Sequence, residues 1–174
     1  MADTQIITLA NAMLTCLCNA LNANPNPPSL CCLRVEPQIP QDLSQEDNIC
    51  CEGLGYVSMA DVWPSSASFP ENDIVRQANA VCAPPAWGVQ LKVGVLRCAP
   101  QTSDCEEQRL AFEQEAHDAQ ALRAAVCCFR NYLQTTAMWL GMSFVIERQN
   151  KYVQGGCIDR FVMTNVQFQN CETC

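Results

Sequence analysis

Cysteine is the residue type with most chemistry to offer in this chain, with fourteen thiols in 174 residues and three side-by-side pairs, Cys31-Cys32, Cys50-Cys51 and Cys127-Cys128. Such density ordinarily marks a small secreted domain held by disulfides. A chain of this length, however, buries roughly two thirds of its unfolded surface and needs no staples to build a core. An even count allows complete pairing, and adjacent cysteines on a strand face opposite ways, so each doublet must find partners elsewhere. Connectivity stays open, as does the choice between bridges and reduced thiols acting as small apolar core residues. Cys82, Cys98, Cys105 and Cys157 flank the ends of expected strands and helices, where backbone spacing suits a bridge, and are the expected bridge formers. Zinc is not expected. Cys171 and Cys174 make the sole Cys-x-x-Cys, and Cys16 and Cys18 project about 200° apart around a helix, so tetrahedral spacing is missing.

Other catalytic chemistry is thin. His117, the single histidine, stands between Ala116 and Asp118 on an expected helix with no nucleophile at compatible spacing, and reads as solvated or partly packed. Cys105 falls in the first turn of that helix, where the dipole favours a thiolate, but no histidine partners it. Gly155-Gly156 has no lysine or Ser/Thr at P-loop spacing and serves as a turn device. Glu106, Glu107, Glu113 and Glu115 read as solubilising charge on an exposed helical face. Neither an enzyme nor a cofactor is expected.

Charge and hydropathy exclude two further classes. With 18 acidic against 10 basic side chains, a net charge of −8 and no basic cluster, the counterion term that drives nucleic-acid binding would be repulsive. No stretch approaches the roughly 18 uninterrupted apolar residues of a membrane span. Residues 6–23 imitate a signal peptide, but Asp3 stands where a basic n-region belongs; with Met1 leading the chain, cytosolic synthesis is expected.

The elements that must position these residues follow from periodicity. Ile6, Leu9, Ala10, Met13, Leu14, Leu17 and Leu21 recur at helical steps, with Asp3 or Thr4 as cap and a stop at Asn24-Pro25-Asn26-Pro27-Pro28. Residues 30–36 and 49–57 read as short strands. Residues 58–88, with Pro64, Pro70, Pro84 and Pro85, read as a long loop ordered by a partner protein, for which Trp63 and Phe69 are the candidate contacts. After Trp87, alternating Val89, Leu91, Val93 and Val95 make a strand with one buried face. Ser103-x-x-Glu106 has the capping-box form and opens a helix over 104–133 whose inward stripe is Phe112, Ala116, Ala119, Leu122, Val126, Phe129 and Leu133. Strands at 138–148 and 157–168 form a hairpin whose tip, 149–156, carries a further candidate partner contact, Tyr152. The sum is α+β, a mainly antiparallel sheet with two helices packed on one face, in one domain over residues 1–174.

Four runs then stand in order: Cys82-Ala83-Pro84-Pro85-Ala86-Trp87-Gly88, the strand ending Arg97-Cys98-Ala99-Pro100, the long helix with Cys127-Cys128, and Gly155-Gly156-Cys157 before the last strand. This order, over about residues 30–168, resembles the cysteine-bearing neck and tail-joining proteins of long-tailed phages that infect actinobacteria. The element order resembles the tail-terminator fold. The resemblance implies a homohexameric ring on the tail tube that ends tail assembly and joins tail to head. Its implied partners are its own copies, the tail tube protein and a head-closure or neck protein, with genome DNA only passing through an acidic channel and no membrane involved. It implies a virion protein made in the host cytoplasm, which accounts for the sulfur: thiols stay reduced during folding and close outside the cell. Each bridge would then add roughly 2–4 kcal/mol. Two alternatives remain, a head-closure protein, whose family resembles a small β-barrel with little helix, and an extracellular cysteine-rich binding module.

Overall fold

The apolar steps in the N-terminal segment wind it into helix α1, Ala2–Asn22, and leave Leu9, Met13, Leu17 and Leu21 without solvent exposure. The structure is a computed structural model and describes residues 2–35, 49–65, 69–70, 86–136, 144–154 and 156–169. Asp3 and Thr4, expected as caps, lie inside α1, which already begins at Ala2. By length and composition Thr4–Asn22 would suffice to cross a membrane, a coarser match than an uninterrupted apolar run. Its apolar stripe instead lies in the core.

The remaining elements are β1 (Leu30–Arg34), α2 (Ile49–Glu52), β2 (Leu54–Ser65), β3 (Ala86–Cys98), α3 (Cys105–Thr135), β4 (Phe144–Gln154) and β5 (Cys157–Gln169). They form a five-stranded sheet in the order β1-β2-β3-β5-β4, in which β1 runs parallel to β2 and every other pair is antiparallel. The α+β architecture with both long helices on one sheet face therefore holds. α1 and α3 cover Val57, Val89, Leu91, Val93, Val95, Val162, Val166 and Phe168, a face set by the alternation of three strands.

Several boundaries differ from those read in the sequence. The strand expected at 49–57 is a helical turn followed by β2, which continues to Ser65 and claims the start of the expected loop at 58–88. A register shift between Met59 and Asp61 breaks the two-residue period and hides this continuation. Likewise Gln149–Gln154, expected as a hairpin tip, is paired strand, and the chain turns tightly at Gly156, whose φ of 76° suits glycine. The helix over 104–133 is capped by Asp104 rather than Ser103, its Oδ1 accepting from the backbone N–H of Glu106 (2.8 Å) and Glu107 (3.0 Å). In α3 burial begins only at Asp118, so Phe112, expected to face inward, is 72 % exposed, and Ala116 is exposed as well.

The second sheet face carries its own smaller cluster, Leu54, Tyr56 and Leu96, with Cys32 against it. Tyr56 pairs with Gly94, and its ring lies where a Gly94 side chain would project; a Cβ there would meet Tyr56 Oη at 2.5 Å. Because that ring is fully buried, it has no room to retreat. The Gly94→Ala variant is expected to lose about 1–3 kcal/mol in urea unfolding through overpacking. An unchanged midpoint would contradict this placement of Tyr56.

Candidate assembly surface

Among the described residues three disulfides have both partners placed, two of them joining the N-terminal half to later elements and one closing within it. Cys16 bridges Cys128 of α3 (Cα–Cα 5.7 Å), Cys18 bridges Cys31 of β1 (5.9 Å), and Cys51 of α2 bridges Cys98 at the end of β3 (4.5 Å). The divergence of Cys16 and Cys18 around α1 thus serves two different bridges. The doublets divide as strand and helix geometry requires. Cys31 turns to the helix-covered face and bonds, while Cys32 turns to the other face and is free; Cys128 bonds and its neighbour Cys127 is free and exposed.

Of the four expected bridge formers, Cys98 is joined to Cys51, and Cys157 is disulfide-bonded. Cys105 corrects the expectation: it is free and exposed, because the first turns of α3 lie clear of the sheet. Cys82 lies outside the described residues. Sequence reading missed Cys16, Cys18, Cys31, Cys51 and Cys128 as members of pairs, since it supplies facing directions but no distances. Maleimide labelling of the native protein followed by peptide mass spectrometry is expected to modify Cys105 and Cys127 and to spare Cys16, Cys18, Cys31 and Cys128 until a reductant is added. Rapid labelling of Cys16 or Cys128 without reductant would refute that bridge.

Charged side chains pin the same framework. Arg97 on β3 donates through Nε and Nη2 to both carboxylate oxygens of buried Asp118, at 2.9 and 3.0 Å, and through Nη2 to the Asn26 carbonyl at 2.9 Å. Asn24 and Gln114 also donate to Asp118, so the turn after α1, the end of β3 and α3 meet at one carboxylate. On the opposite sheet face Tyr56 Oη donates to Asp159 (2.7 Å) and Lys92 Nζ to the other oxygen (2.6 Å), with Nζ 4.1 Å from the Phe161 ring centre. Burial first, then the charge and hydrogen bond of Asp159, push the Tyr56 phenol far up, which keeps it a neutral donor. His117 is exposed. Among the described residues no three or more His, Cys, Asp and Glu side chains gather in a way that could hold a metal ion.

Glu115, read as solubilising charge, instead holds the hairpin to α3 by accepting from Lys151 (2.7 Å) on β4 and Arg160 (2.6 Å) on β5. Burial raises its carboxyl, but the two cations together outweigh burial and hold it below the usual range. A carboxyl lowered in the folded state stabilises above its unfolded pKa of about 4.3, and this contribution fades as pH falls through the lower folded value. Glu115→Gln is expected to cost roughly 1–2 kcal/mol at pH 7. In chemical denaturation the gap to wild type should close as pH drops below about 4. A gap independent of pH would place the loss elsewhere.

The candidate partner contacts divide. Trp63 sits on β2, 6 % exposed, over Gly88 of the paired strand and stacked on Phe69 with ring centres 6.3 Å apart. It packs within its own chain, which corrects its expected role as an exposed anchor. Tyr152 is exposed on β4. β1 and β4 are the two outer strands, each paired on one side among the described residues. Beside β1 runs an apolar groove of about 740 Å³, lined by Ile6, Ile7 and Ala10 of α1, Leu33 of β1 and Met59 of β2 among others. Ile7, Leu33 and Met59 are large apolar side chains left exposed.

The fold therefore defines a disulfide-bridged α+β protein whose sheet, among the described residues, runs from β1 to β4. No protein-family model matches the chain, and none of the curated proteins is detectably similar to it.

Proposed function

We propose that this chain is a structural virion protein of a tailed phage, a subunit of a ring at the top of the tail tube that ends tail assembly and joins tail to head. One observation carries most of the weight: among the described residues the sheet ends in two different outer strands, β1 and β4, each with exposed apolar side chains. Unlike edges favour head-to-tail association, and such contacts give closed rings when the rotation between copies closes. Six copies are expected, with the tail tube protein on one side of the ring and a head-closure or neck protein on the other. Bridges between α1 and its surroundings support durability outside the host cell, after synthesis in the reducing cytoplasm. The net charge of −8 suits a channel through which DNA passes without sticking.

A nonsense codon placed in this gene of the parent phage tests the reading by electron microscopy of lysates. The expected result is overlong tails without heads and filled heads without tails, both rescued when the protein is supplied in trans. Normal-length tails joined to heads would overturn it. A strictly monomeric protein that binds an extracellular ligand would favour the cysteine-rich binding module instead.

A further inference from the structure

We propose that helix α3 docks antiparallel on the α3 of a second copy of this chain, seating Phe112 of each copy in the apolar groove between α3 and β4 of the other. The contact goes beyond the ring reading, because it closes about a two-fold axis on two copies whereas ring neighbours meet head to tail. Phe112 is 72 % exposed on the stretch of α3 that precedes the buried half of the helix. It is the most exposed aromatic side chain among the described residues, and water is a costly place to leave it.

The groove that fits this ring lies further along the same helix. It has a volume of about 420 Å³ and is lined by Ala119, Leu122, Arg123 and Val126 of α3 and Ile146 of β4, among others. Phe112, Ala116, Ala119, Arg123, Val126 and Arg130 recur at steps of four and three, so one stripe of α3 carries both the ring and a wall of the groove. A two-fold crossing at Ala119 therefore sends Phe112, about 10 Å before it on the helix, onto Val126 of the other copy, an equal distance after it. The crossing is reciprocal, so each copy fills the groove of the other. Ala116 and Ala119 near its centre leave no long side chain to hold the two helices apart.

Charge selects a second copy as the occupant. From Asp104 to Glu113 the chain holds four acids against the single cation Arg109, which is already paired with both Glu106 and Glu113. From Ala119 to Thr135, α3 holds Arg123 and Arg130 and no acid. Both arginines are exposed, as is Arg148 on β4, and none of the three has an ion-pair partner among the described residues. Glu147 also lines the groove, its carboxylate accepting from Gln90 and Asn165; three arginines less one glutamate leave two positive charges on that side. The antiparallel crossing lays the acidic half of each α3 along the basic half of the other, bringing Glu113 toward Arg123 and Glu106 toward Arg130. A parallel arrangement would set like charge on like and carry Phe112 onto Phe112 rather than into a groove.

The test measures the mass of the full chain by sedimentation velocity, with circular dichroism to confirm folding. Wild type is expected to pair, giving two copies, or twice the ring where the ring also forms. Phe112→Ser, a change at an exposed position, is expected to halve that mass. Arg123→Glu with Arg130→Glu makes both halves of α3 acidic, and Glu106→Lys with Glu113→Lys makes both basic, so each double variant alone is expected to stay unpaired. Mixed in equal amounts they are expected to pair with each other, since acid then meets base at both ends of the contact. Should Phe112→Ser misfold, the mixing experiment decides; should a double variant misfold, Phe112→Ser decides. An unchanged mass in Phe112→Ser, or double variants that pair alone or fail to pair when mixed, overturns the contact. A wild type that stays unpaired at every concentration overturns it as well and leaves the groove to an acidic segment of another protein.

Discussion

A carboxylate buried away from water must be paired, and Asp118 is the group around which this molecule is arranged. Two of its partners come from other elements, Arg97 at the end of β3 and Asn24 beyond α1, and a third, Gln114, from one turn earlier in α3. Removing Arg97, the cation of this cluster, would typically cost about 3–5 kcal/mol, since the buried carboxylate is then left without a counter-charge. The same residue marks where α3 passes from solvent into the core. Everything that packs on the sheet, from Ala121 to Leu133, follows from that point inward.

The disulfides act on the same junction from the other side. Cys16–Cys128 closes α1 on α3 and Cys18–Cys31 closes α1 on β1, so the helix that lines the apolar groove is fastened along two directions. A surface presented to a partner gains from rigidity, because less ordering entropy is lost on binding. The groove is therefore built on a held helix and an outer strand rather than on a loop. Glu115 does the equivalent at the other end of the sheet, anchoring β4 and β5 to the exposed half of α3 through Lys151 and Arg160.

Two sheet faces also divide the labour. The helix-covered face is largely apolar and contiguous, as expected where helices seal one side of a sheet. The other face is mixed, with Tyr56, Lys92 and Asp159 interlocked across β2, β3 and β5. Hydrogen bonding satisfies the buried carboxylate there, and the rings of Tyr56 and Phe161 flank the ammonium.

From sequence alone, the class of fold was legible because periodicity survives without tertiary information. The stripe of α1, the alternation of Val89 to Val95 and the stripe from Leu122 to Leu133 each report one buried face. The divergence of Cys16 and Cys18 and the opposed faces of Cys31 and Cys32 were legible for the same reason. Tertiary structure alone decided which sulfurs meet, since Cys16 and Cys128 are 112 residues apart and their approach depends on how two helices cross on the sheet. It also decided that Phe112 is exposed, because the helix pattern continues past the point where there is sheet to cover. Trp63 went the same way: a large ring in a proline-rich stretch looks like an anchor, and only the strand register places Gly88 beneath it. The groove beside β1 is assembled from α1, β1 and β2, whose exposed residues share no sequence pattern, since their proximity is a product of sheet order.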